Sequence, residues 1–155
     1  MIGDAGLELS MRSEHYEKWE RVASVDTPAA RASIVEDHRG LSVTLWFSEV
    51  VGAPNSNLEI SFGRVPAYAV HEEFVHPWNS YETESPPKLA GQWQRYSLPL
   101  LIVKDSIWLK SFSESQLINY PECVHYRLVT LDQTVDVLCN QAPSVSWLEN
   151  TSGVK

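Results

Sequence analysis

The sequence predicts an α+β domain, with an N-terminal helix packed on a mainly antiparallel sheet of about six or seven strands and a long irregular loop after the third strand. Three observations predict it. Tyr16, Trp19, Val22 and Ala23 recur at helical spacing between Ser13 and Ala23. From Leu41 onward apolar residues alternate with polar ones, the period of half-buried strands. Between Pro77 and Ser97 neither period persists over roughly 20 residues, longer than most structureless connections in compact domains.

The N-terminal helix gains support from Glu14 with Lys18 and Glu17 with Arg21, both i,i+4 pairs in the favourable order. The next window has two readings of equal weight. Thr27 and Pro28 suit an N-cap and first helical position, with Gly40 as the stop, giving a helix over Ala29 to Arg39. The same residues also read as a strand at Ser33 to Glu36 with a turn at Asp37-His38-Arg39-Gly40.

Leu41, Val43, Leu45 and Phe47 then define one strand, and Leu58, Ile60 and Phe62 a second, joined through the turn-rich Gly52-Ala53-Pro54-Asn55. Val65 to Phe74 reads as a third. Leu100 to Val103 and Ile107 to Phe112 read as two more, and Ser113 to Leu117 as one or two helical turns ended by Pro121. A hairpin closes the pattern. With Asp132-Gln133 as its turn, Val124, Tyr126, Leu128, Val135, Val137 and Cys139 share an apolar face, while His125, Arg127 and Asp136 share a wet one. Asp-Gln is not a preferred two-residue turn, so a shifted register is the alternative.

With 155 residues, 43% hydrophobic and 21% charged, the chain suits one domain over 1–155. Its 12 Lys and Arg against 20 Asp and Glu leave a formal charge of −8, which excludes nucleic acid and anionic membrane as favoured partners. The acidic start offers no secretory signal, and the apolar run Leu98 to Val103 is far too short to span a bilayer. Cys123 and Cys139 fall about three positions out of register in the expected hairpin, beyond disulfide reach. Two reduced thiols and a cytoplasmic location are the expectation.

The most unusual segment runs from Val65 to Pro87. It contains no Lys or Arg, and its Glu72, Glu73, Glu82 and Glu84 account for half of the formal −8. Tyr68, Phe74, Trp78 and Tyr81 are interleaved with these carboxylates and with His71 and His76, and Trp93 lies a few residues beyond. Carboxylates steer encounter with a basic partner and aromatics supply contact area. The candidate binding residues are therefore Tyr68, His71, Glu72, Glu73, His76, Trp78, Tyr81, Glu82, Glu84 and Trp93.

His71-Glu72-Glu73-Phe74-Val75-His76 invites comparison with the zinc-protease pattern H-E-x-x-H, but its histidines stand five apart rather than four and leave one helical face. No metal or other cofactor is implied. G-x-S-x-G, the Walker-type phosphate loop and G-x-G-x-x-G are all absent, and Cys123 with His125 reads as packing rather than a thiolate pair. No catalytic residue is assigned. The leading expectation is a non-enzymatic domain, of the inhibitor or immunity kind, that binds a basic protein. The second is a small-ligand binder or enzyme with a pocket between helix and sheet near His71, Glu73 and His76. A third is a homodimer that buries an exposed aromatic face.

Overall fold

The computed structural model describes residues 14–20, 25–50, 56–72 and 86–149. Their strands are β1 (His15–Lys18), β2 (Ala32–Asp37), β3 (Gly40–Leu45), β4 (Ser56–Gly63), β5 (Ala67–Glu72), β6 (Leu100–Lys104), β7 (Val124–Val129), β8 (Gln133–Cys139) and β9 (Ser144–Glu149). Among the described residues the one α-helical segment is α1, the four residues Ile107–Lys110. The strands form two antiparallel sheets, of order β1-β6-β7-β8-β5 and β2-β3-β4-β9. The expected α+β class is therefore overturned: among the described residues the fold is mostly β, with no N-terminal helix packed on a sheet.

The inward faces of both sheets contribute to one core. Leu41, Val43 and Leu45 of β3 and Leu58, Ile60 and Phe62 of β4 cluster with Leu100, Tyr126, Leu128, Val135, Val137 and Cys139. That is the packing of a β-sandwich, in which alternating side chains of two sheets fill a shared interior. Cys139 also ties the layers, its thiol lying within hydrogen-bond reach of the Gln141 carbonyl at 2.8 Å and the Phe62 carbonyl at 3.4 Å. Both cysteines are free thiols.

The expected N-terminal helix is β1, an edge strand on β6 with Tyr16 opposite Val103 and Lys18 opposite Leu101. Glu14 and Glu17 find other partners than a helix would give them. Glu14 is fully buried and accepts from the Ile107 amide at 2.8 Å, and Glu17 meets Lys104 at 3.9 Å. Trp19 packs on Tyr126 with ring centroids 5.0 Å apart. Burial of two aromatics against the sheet outweighs a helix propensity worth only tenths of a kilocalorie per residue. The remainder of that window, 21–24, lies outside the described residues.

The ambiguous window resolves as the strand reading, with β2 paired to β3. Ile107 to Phe112, read as a strand, instead begins with α1 over Ile107–Lys110. Ser106 caps it, its hydroxyl accepting from the Leu109 amide at 3.0 Å. The closing hairpin forms with a shifted register: Leu128 faces Val135 and Arg127 faces Asp136 directly. Thr130 sets this register, because its hydroxyl donates to the Gln133 carbonyl at 2.9 Å and accepts from the Gln133 amide at 2.9 Å. The slip is even, so the apolar face survives. The face read as wet is buried, with His125, Arg127 and Asp136 at 1%, 6% and 0% exposure.

Candidate functional site

A polar opening lies where the β2–β3 turn meets the crossing from β4 to β5. Asp37 shapes the turn, its carboxylate accepting from the Arg39 amide at 2.8 Å. Gly40 follows at φ +120, and a Cβ there would lie 2.1 Å from the Gly63 carbonyl carbon. Only glycine permits so close a backbone approach. Gly63, itself at φ +70, turns the chain out of β4 toward Arg64 and Pro66 and so into β5.

The result is a solvent-open cleft of about 510 Å3, lined among others by Glu36, Asp37, His38, Arg64, Tyr68 and Tyr120. Tyr68 of β5 donates its phenol proton to the Glu36 carboxylate of β2. This bond, with desolvation and the carboxylate charge adding to it, holds the Tyr68 pKa above its ordinary value. Arg64 turns its guanidinium to the His38 carbonyl at 3.4 Å. The two carboxylates thus share the cleft with one guanidinium that already has an acceptor. An ammonium or guanidinium group entering from outside would find carboxylate oxygens and phenol rings together, the combination that favours organic cations.

Of the residues singled out from the sequence, Tyr68, His71 and Glu72 lie on β5, an edge strand of the five-stranded sheet. Tyr68 lines the cleft. His71 pairs across to Thr134 on the opposite face of the sheet from Tyr68, and Glu72 is exposed. Trp93 sits in a short 3-10 turn, Gly91–Trp93, and packs on Tyr96 at 6.2 Å. Glu73, His76, Trp78, Tyr81, Glu82 and Glu84 lie outside the described residues. Among those described, no three His, Cys, Asp or Glu side chains gather as a metal ion would need. The N-terminal helix expected to wall a pocket with the sheet is instead strand β1, and the cleft runs between two sheet edges. Glu36, Asp37, His38, Arg64 and Tyr120 were missed as site residues. Their one sequence signal was the turn Asp37-His38-Arg39-Gly40, which brings two charged strand ends to one rim.

A second polar constellation lies on the outer face of the five-stranded sheet. The Ser106 hydroxyl meets His125 Nδ1 at 2.7 Å, and His125 Nε2 meets Asp136 Oδ1 at 2.6 Å. Arg127 Nε donates to the same oxygen at 2.8 Å and Arg127 Nη1 to the Tyr16 hydroxyl at 3.0 Å. Serine, histidine and aspartate in a row resemble a nucleophilic triad, but the details assign a structural role. Ser106 is 3% exposed, and its oxygen also accepts the Leu109 amide as the cap of α1. Both ring nitrogens of His125 are thus engaged, one by Ser106 and one by Asp136. Burial works against the Arg127 charge, yet the Asp136 carboxylate and Tyr16 carry its pKa above the ordinary value. The row fastens α1, β1, β7 and β8 to one another.

Comparison with protein-family models, curated proteins and solved structures finds no match to this chain. Among the described residues no helix is long and apolar enough to cross a membrane.

Proposed function

We propose that this chain is a non-enzymatic binding domain for a basic protein segment, held on the flank where β2 and β5 are edge strands. The observation that carries the reading is the cleft of about 510 Å3 with Glu36, Asp37 and Tyr68 in its wall. Three further features support it. The chain carries a formal −8, which favours encounter with a cationic partner. β2 and β5 are terminal in their sheets, and each edge strand offers backbone groups to an extended segment. Val35 and Val70 on these strands are 57% and 42% exposed, so apolar contact area accompanies the carboxylates of Glu36, Asp37 and Glu72. An inhibitor or immunity protein presents a surface of this kind to its target.

The test compares two capped peptides, one built on Lys-Ser-Ser and one on Glu-Ser-Ser, by fluorescence anisotropy at low salt. The lysine peptide is expected to bind the more tightly and to weaken as salt rises. The triple variant Glu36→Gln, Asp37→Asn, Glu72→Gln is expected to bind it about tenfold less well, a loss of about 1.4 kcal/mol. Equal affinity for the two peptides, or an unchanged affinity in the variant, would sink the reading.

The cleft volume also favours a second occupant, because it lies in the roughly 300–1,000 Å3 range of small-ligand pockets. A small organic cation such as spermidine would then raise the melting temperature of the protein, and would do so only while Glu36 and Asp37 keep their charge.

A further inference from the structure

Tyr120 lines the acidic cleft and also a second opening of about 550 Å3. The chemistry of the second opening is different. Leu109 and Phe112 come from α1 and the residues after it, Leu117 and Ile118 from the following turns, and Pro121 and Cys123 from the approach to β7. Lys110 and Glu114 stand at its rim, the Lys110 ammonium 3.6 Å from the Asp105 carboxylate. Burial raises the Cys123 thiol, so this cysteine adds apolar surface rather than a thiolate.

Ile118 is 73% exposed, the most exposed of the large hydrophobic side chains in the described residues. It sits in a segment whose own hydrogen bonds already fix its shape. The Ser113 amide donates to the Gln116 side chain at 2.7 Å, the Leu117 amide to the Ser113 carbonyl at 3.2 Å and the Tyr120 amide to the Leu117 carbonyl at 2.8 Å. The turn is thus shaped without the Ile118 side chain, which leaves that side chain available for contact outside the chain.

We infer that the two openings form one composite site for an extended peptide carrying a Lys or Arg and, two residues away, an aliphatic side chain. The inference rests on the proposed binding of a basic segment and adds a sequence rule to it. In an extended chain residues i and i+2 project on the same side, about 6.8 Å apart. The cation enters between Glu36, Asp37 and Tyr68, and the aliphatic group enters between Phe112, Leu117 and Ile118. Tyr120 stands between them as the common wall, its ring packing along the methylene stem of the Lys or Arg. Charge complementarity selects this occupant. Glu36, Asp37 and Glu114 outnumber Arg64 and Lys110 across the two openings, and Lys110 already faces Asp105. A nucleic acid would meet these carboxylates unfavourably, and a bare acyl chain would leave them unused.

Four capped peptides on the wild-type protein decide it: Lys-Ser-Leu, Lys-Ser-Ser, Glu-Ser-Leu and Glu-Ser-Ser, each flanked by glycines and read by fluorescence anisotropy. Lys-Ser-Leu is expected to bind about tenfold more tightly than Lys-Ser-Ser, in line with partial burial of one leucine. In Ile118→Ser, a surface change the fold tolerates, that leucine preference is expected to fall to about twofold while the lysine preference persists. If Lys-Ser-Leu and Lys-Ser-Ser bind equally, or the leucine preference is undiminished in Ile118→Ser, the composite site is overturned and the basic-partner reading stands. If Lys and Glu peptides bind equally, both fall together.

Discussion

Gly40 shows how one residue without a side chain determines the site. Its φ of +120 and the 2.1 Å approach to Gly63 place the β2–β3 turn against the start of the crossing to β5, and the cleft opens beside that contact. Gly40→Ala is therefore expected to cost about 3 kcal/mol or more, because the obstruction is backbone and cannot swing aside. Gly91 provides the control. It also has a positive φ, of +64, but nothing lies within 4 Å of its Cβ position, so Gly91→Ala is expected to cost only about 1 kcal/mol of local strain. Urea midpoints of the two variants measure the difference, and equal midpoints would contradict the packing described for the turn. Asp136 is the second residue on which much depends. It is fully buried and accepts from both His125 and Arg127 through one oxygen. Asp136→Asn leaves the Arg127 charge buried without its counter-ion, an imbalance that costs about 3–5 kcal/mol in comparable sites. Loss of that order in chemical denaturation is the expected outcome. A cost below about 1 kcal/mol would mean that Tyr16 and solvent suffice for Arg127.

At the level of elements, the strands that alternate cleanly were legible and those defined by their neighbours were not. Leu41 to Phe47 and Leu58 to Phe62 read as half-buried strands from the sequence, and they are the strands whose inward residues fill the core. The apolar face of the closing hairpin was legible too, although Thr130 fixes a register that the Asp132-Gln133 turn would not give. β1 was misread because Tyr16 and Trp19 are three apart, a spacing that a short strand followed by a bend also satisfies. α1 was misread because its cap, Ser106, is identified only by the fold that brings His125 and Glu14 to it. The site was legible in part. Tyr68 could be picked out from its segment, but its partner Glu36 sits on the other sheet, 32 positions earlier in the chain. The strand identity of β1 can be tested at Glu17, exposed and opposite Ile102. Both Glu17→Thr and Glu17→Ala lose the contact with Lys104, so the comparison isolates backbone preference. Thr is expected to be the more stable by about 0.5 kcal/mol, the sign of a strand; a helix would reverse it.

The described residues form two sheets that share a core yet meet at their flank through side chains of opposite edge strands. Tyr68 of β5 and Glu36 of β2 make that connection, so its pH dependence reports on closure of the flank as a unit. The sign follows from which form of tyrosine the bond needs. Only the protonated phenol can donate to Glu36, and the folded-state pKa of Tyr68 is raised above the ordinary value near 10. The contribution to stability is therefore complete below about pH 10 and is lost as the pH climbs through the raised value. In Tyr68→Phe the donor is gone at every pH. The difference in melting temperature between the wild type and Tyr68→Phe is thus expected to be constant through the neutral range and to shrink above about pH 10. Absorbance titration of the native protein gives an independent reading, since the chain has six tyrosines and the late ionisation of Tyr68 should vanish in the variant. A difference in melting temperature that stays constant while the Tyr68 phenol ionises in the same pH series would show that the phenol proton does not hold the flank. The binding proposal would then lose its preformed cleft, because Glu36 would be free to turn away from the rim that it shares with Asp37.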